Sequence, residues 1–146
     1  MWPQIEILMT NSLLLDAPCL IAHRGASAYT PENTLASFEA LAGYRIDWVE
    51  FDVMLTSCGA PVVIHDHTLD RTTDGHGTVA NTSLSEILSL DAGAWFSERF
   101  RGEKVPELSA VLERLSALNI RPNIELKPML KKNVKRPSLK MQENSW

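Results

Sequence analysis

The chain has 146 residues, 45% of them hydrophobic, and a net charge of −4, enough for one domain with a packed core and too little for two. Its two cysteines, Cys19 and Cys58, stand far apart and outside any CxxC or Cys/His cluster, which argues against a disulfide framework or a zinc site. Charge is uneven: residues 129–146 hold five basic residues and one acidic, without the interleaved aromatics of a nucleic-acid-binding patch.

Residues 1–18 read as an N-terminal extension. The first twenty residues contain no Lys or Arg, carry Glu6 and Asp16, and never reach the apolar length of a membrane span. The expectation is a cytoplasmic protein with no signal peptide and no membrane span. "CLIAH" (19–23) is a short apolar run between Pro18 and Gly25, which favours a buried strand. From Glu32 to Gly43, Leu35, Phe38, Leu41 and Ala42 recur at helical spacing after Thr30-Pro31, predicting a helix over that stretch. "WVEFDVML" (48–55) alternates apolar and acidic residues, and "PVVIHD" (61–66) is rich in β-branched residues; both predict strands. The link between them is shorter than a parallel crossover needs, so the pattern favours a hairpin. After a polar stretch, Ser83 with Glu86 predicts a capping box on a short helix. "VPELSAVLERLSAL" (105–118) places Leu108, Val111, Leu112, Leu115 and Leu118 on one helical face, and "RPNIELKP" follows as a strand closed by Pro128. This alternation of strands and helices predicts the α/β class, with a parallel sheet or barrel.

In a strand, residues two apart point the same way, so Glu50 and Asp52 share a face, as do Glu125 and Lys127. Three carboxylates at strand ends form an oxygen cage of the kind chosen by hard divalent cations. His23 and His65 each close an apolar run, the usual address of catalytic side chains in α/β barrels, and such a pair supplies a general base and a general acid near neutral pH. Arg24 offers a planar fork of donors for phosphate oxygens and Lys127 a point charge. Together these residue types suit phosphoryl transfer. His67 and His76, in the polar stretch, read as solvated.

"HRGASAYTPENTLASF", "VEFDVML", "PVVIHDHTLDRTTDGHG" and "NIELKP", in this order and spacing, resemble the glycerophosphodiester phosphodiesterase family. The resemblance covers residues 19–128 and implies a (β/α)8 TIM barrel, here truncated to about its first four strands. It implies a divalent metal, Mg²⁺ or Ca²⁺, at Glu50, Asp52 and Glu125. It further implies acid/base catalysis by His23 and His65, phosphate binding by Arg24 and Lys127, and hydrolysis of a small glycerophosphodiester to sn-glycerol 3-phosphate and an alcohol. Glu32 and Asn33 are expected to shape the site. Ser57-Cys58 departs from the polar-Asp turn usual in the family.

Residues 129–146 read as a basic tail in which neither the resemblance nor the pattern of a further βα unit is followed. A complete barrel typically takes at least about 200 residues, so the expectation is a truncated or frame-shifted product with an open sheet edge. Such an edge is closed by pairing with another copy, or else the chain is an inactive fragment that retains metal or phosphate binding at most.

Overall fold

A computed structural model describes residues 20–44 and 46–128. The predicted extension and basic tail lie outside the described residues, as does Cys19 at the start of the first predicted strand. The elements follow the expected order: β1 (Ile21–His23), α1 (Leu35–Glu39), β2 (Trp48–Leu55), β3 (Pro61–Val63), α2 (Leu84–Ser89), α3 (Leu108–Ala117) and β4 (Arg121–Leu126).

The sheet is organised around β2. On one side β1 pairs with it in parallel, Ile21 opposite Trp48 and His23 opposite Glu50. On the other side β4 runs parallel along most of its length, from Trp48↔Arg121 to Val53↔Leu126. β3 folds back antiparallel against the far end of β2, Val53 opposite Val63. Val53 is paired with both β3 and β4, so β3 and β1 lie on the same side of β2, one beyond the other. The short link therefore makes a hairpin, as its length requires. Three strands run parallel as barrel staves do, and β3 is the hairpin return.

Alternation along β2 sorts its side chains. Val49, Phe51 and Val53 are buried in a core with Phe38 and Leu41 from the α1 region, Val63, Val111 and Leu115 of α3, and Ile120. Glu50 and Asp52 take the opposite face, as period-two geometry dictates. Phe38 and Phe51 meet edge to face with centroids 5.5 Å apart, the geometry aromatic quadrupoles favour. A second core joins Met54, Val62 and Ile64 to Leu69, Val79, Ile87, Ala92 and Val105, and anchors the long β3–α3 connection to the hairpin.

Local chemistry explains the departures from expectation. The first helix starts at Leu35, not at Glu32: Asn33 has a left-handed backbone with φ 59°, incompatible with a right-handed helix. Thr34 caps the helix instead, in a capping box with Ser37, and a 3₁₀ turn carries it on to Gly43. Ser83 and Glu86 form the expected box on α2. α3 begins at Leu108 because the segment before it runs beside β3, with Val63 N–H donating to Pro106 O at 2.9 Å. Leu112, expected on the buried face, is exposed, whereas Val111 and Leu115 are fully buried.

Phe38 joins α1 to the sheet at the centre of the larger core, so Phe38→Ala is expected to destabilise the chain by about 3–5 kcal/mol. Urea denaturation followed by circular dichroism measures it; a midpoint unchanged from wild type would contradict this packing.

Candidate active site

Register brings the polar residues to one place. His23 pairs with Glu50 across β1–β2 and Glu125 pairs with Asp52 across β2–β4. On the hairpin return, Ile64 N–H donates to Asp52 O at 3.0 Å, delivering the next residue, His65, beside the same stretch of β2. Three strands and one hairpin thus converge on residues 50–52.

The turn after β1 is held by unusual backbone. Arg24 has φ 58° and Gly25 φ 85°; the first is uncommon for a residue with a side chain. Arg24 N–H donates to Glu50 O at 2.8 Å, and Asn33 N–H donates to Arg24 O at 3.1 Å, so the strain is supported from both sides. A Cβ at Gly25 would stand 2.3 Å from Ser37 Oγ, so this position excludes a side chain by space as well as by φ. The reward of this geometry is that the Arg24 side chain lies against the carboxylates: its Nη1 is 3.0 Å from Glu32 Oε1 and its Nε 3.3 Å from Asp52 Oδ2.

Asp52 is 1% exposed. Asn33 Nδ2 donates to its Oδ2 at 3.0 Å, and Lys127 Nζ lies 3.0 Å from its Oδ1. Burial works against the charged form, but the Asn33 hydrogen bond and Lys127 prevail and hold the Asp52 carboxyl below its ordinary pKa. Glu50 behaves oppositely. Burial and the neighbouring Asp52 charge push its pKa up, with only partial relief from His23, whose Nε2 is 3.7 Å from Glu50 Oε2. Lys127 also contacts Glu125 Oε1 at 2.6 Å; burial opposes its charge, and these two carboxylates outweigh that and raise its pKa.

Glu50, Asp52 and Glu125 each present an oxygen within 4.8 Å of the others. Glu50 Oε2 and Asp52 Oδ1 are buried without a hydrogen-bond partner; Lys127 reaches the latter as an ion contact only. Orphaned buried carboxylate oxygens are costly, and an all-oxygen donor set with spare lone pairs fits a hard divalent cation.

The expected residues His23, Arg24, Glu50, Asp52, His65, Glu125 and Lys127 therefore gather at one end of the sheet. Glu32 and Asn33 join them through Arg24 and Asp52. Asp66 and Arg71 are further members that the strand pattern did not single out. Both fall within "PVVIHDHTLDRTTDGHG", one of the stretches that carry the family resemblance, and Asp66 closes the predicted strand 61–66, which ends in the structure at Val63; spacing alone gave neither residue a role.

A family model for the glycerophosphoryl diester phosphodiesterase family matches residues 23–144. The chain belongs to this family. Over 108 residues it is 48% identical to a glycerophosphodiester phosphodiesterase of Caldanaerobacter subterraneus, covering 74% of this chain and 44% of that protein. It is 44% identical over 104 residues to human glycerophosphodiester phosphodiesterase 1, covering 69% of this chain and 31% of that protein. Among solved structures, an Oleispira antarctica phosphodiesterase in complex with the product sn-glycerol-3-phosphate superposes with a TM-score of 0.74 at 46% identity, covering 77% of this chain and 45% of the other. A glycerophosphodiester phosphodiesterase from Agrobacterium tumefaciens gives 0.70 at 46% identity, over 73% and 46% of the two chains. The described fold is thus a partial barrel of a phosphodiesterase family, and the chain spans less than half the length of these relatives.

Glu32 yields a pH prediction for this family member. Burial opposes its charge, but hydrogen bonds and charge from Arg71, with help from Arg24, hold its pKa below the ordinary 4.5. A depressed carboxylate stabilises the fold above its unfolded pKa and loses that contribution as pH falls through the folded one. Glu32→Gln is expected to destabilise the chain by about 1 kcal/mol at pH 7, and the gap from wild type should close as pH falls below 4.5. Thermal melts across that range check it, and a gap independent of pH would contradict the assignment.

Proposed function

We propose that the chain hydrolyses glycerophosphodiesters to sn-glycerol 3-phosphate and an alcohol. Glu50, Asp52 and Glu125 hold Mg²⁺ or Ca²⁺, His23 and His65 serve as the acid/base pair, and Arg24 and Lys127 meet the phosphate. The observation that carries this reading is the convergence of three carboxylates, two histidines and two cations on residues 50–52 of one strand, within a chain of this family.

Glu50, Asp52 and Glu125 would hold the divalent cation, which would supply positive charge against the negative charge of the phosphate. The rest falls to the chain's own groups. Arg24, fixed by its turn, presents a guanidinium to a phosphate oxygen, and Lys127 adds a point charge from the end of β4. One histidine takes the proton of the substrate's own glycerol hydroxyl as it attacks phosphorus and the other gives a proton to the departing alkoxide; water then opens the resulting cyclic phosphate, with the proton transfers reversed, to leave sn-glycerol 3-phosphate. His23 is 68% exposed and His65 31%, so both rings are open to an incoming substrate. An exposed thiol such as Cys58 suits the reducing cytoplasm, where we place this reaction.

One observation favours a second reading. Among the described residues, the outer edges of β1 and β4 have no partner strand. On that reading it binds metal or phosphate without turnover, unless a second copy closes the open edge.

The test is release of sn-glycerol 3-phosphate from glycerophosphocholine with Mg²⁺ or Ca²⁺, with light scattering of the same sample. Turnover is expected, falling by roughly 10²–10⁴-fold in His23→Ala and in His65→Ala, and abolished by chelation. A folded chain that binds the metal and releases no product supports the binding-only reading.

A further inference from the structure

Arg71 lies on the β3–α3 connection, outside the groups assigned above, with 44% of its side chain exposed. An exposed arginine with one carboxylate partner contributes little. Arg71 has two, each engaged by two hydrogen bonds. Its Nε donates to Asp66 Oδ2 at 2.6 Å and its Nη2 to Asp66 Oδ1 at 3.0 Å. Its Nη1 donates to Glu32 Oε2 at 3.0 Å and Nη2 also to Glu32 Oε1 at 2.8 Å. Each carboxylate passes the constraint on. Asp66 Oδ1 lies 2.6 Å from His65 Nδ1, and Glu32 Oε1 accepts from Arg24 Nη1 at 3.0 Å. One planar guanidinium thus stands between the histidine and the arginine of the proposed site, which are otherwise carried by different segments of the chain.

The consequence is chemical as well as geometric. Asp66 is held far below the usual carboxylate range, first by its hydrogen bonds from Arg71, and so remains an acceptor. A neutral imidazole that gives its Nδ1–H to a carboxylate must carry its lone pair on Nε2. We propose that Arg71 is a positioning residue: by holding Asp66 and Glu32 on one guanidinium it fixes the Nδ1–H tautomer of His65 and the aim of Arg24. This rests on the reading of His65 and Arg24 as reacting and phosphate-binding groups. A lysine at this position keeps the charge but lacks the planar fork, so it cannot pair bidentately with either carboxylate.

The experiment reads the ring directly and needs no turnover. The full chain is labelled with ¹⁵N-histidine, and long-range ¹H–¹⁵N correlations give the tautomer ratio of each histidine in wild type, Arg71→Gln and Arg71→Lys. His76, whose Nδ1 is 2.9 Å from Asp70, is the internal control, since no bond of the Arg71 cluster reaches it. In wild type His65 is expected to be dominated by the Nδ1–H form. In Arg71→Gln its Nε2–H share rises several-fold while His76 is unchanged, and Arg71→Lys falls between the two. If Arg71→Gln does not fold, the intermediate ratio in Arg71→Lys carries the test alone. A His65 ratio equal to wild type in whichever variants fold overturns the proposal. A chain that shows the tautomer shift but hydrolyses no glycerophosphodiester keeps the positioning role and refutes the activity instead.

Discussion

Asp52 places a carboxylate almost wholly out of water at the centre of a sheet, and a charge so desolvated survives only where opposite charge and directed donors replace its hydration. Asn33, Arg24 and Lys127 supply these from three separate segments. Each imposes a demand on its own stretch of chain. Asn33 must leave the helical region, Arg24 must adopt a left-handed backbone, and β4 must register with β2 so that Lys127 follows Glu125 out of the sheet. The start of α1, the turn after β1 and the strand order are thus coupled to one buried negative charge.

That charge is tolerable because of how β2 divides its two faces. Val49, Phe51 and Val53 fill the core beneath the helices, and their burial stabilises the strand on which Glu50 and Asp52 ride. The site stands on a doubly flanked strand, and its most exposed members, His23, Glu125 and Arg71, are carried by the elements around that strand. Glu50 shows the tension that remains, since its charge is disfavoured both by burial and by Asp52. A site with one carboxylate held charged and its neighbour resisting charge is primed for a cation that satisfies both.

Much of this was legible in sequence wherever a feature has a period. The acid–apolar alternation of β2 announced its two faces, and the short link after Leu55 announced a hairpin, because both follow from fixed strand geometry. The helix start was misplaced because Pro31 and the apolar spacing suggest an early beginning, whereas the backbone of Asn33 is set by a contact with Asp52, nineteen residues away. Leu112 has the spacing of a core residue, but the width of the buried stripe depends on what packs against α3, which spacing does not encode. Asp66 and Arg71 lie in a loop, where charge has no periodicity and meaning comes only from the partner across space.

The pairing of β2 with β4 sets an order on how the molecule comes into being. β1 precedes β2 by a short stretch, whereas Arg121, the partner of Trp48, follows it by 73 residues. Local pieces such as the β2–β3 hairpin therefore form from near neighbours, while the contact that brings Glu125 and Lys127 to Asp52 waits for the longest loop closure in the sheet. On a ribosome, which releases the N-terminal part first, Asp52 emerges long before its lysine. Through that interval the nascent sheet holds Asp52 with Arg24 but without the second of its countercharges, and β2 carries an unpaired flank open to mispairing.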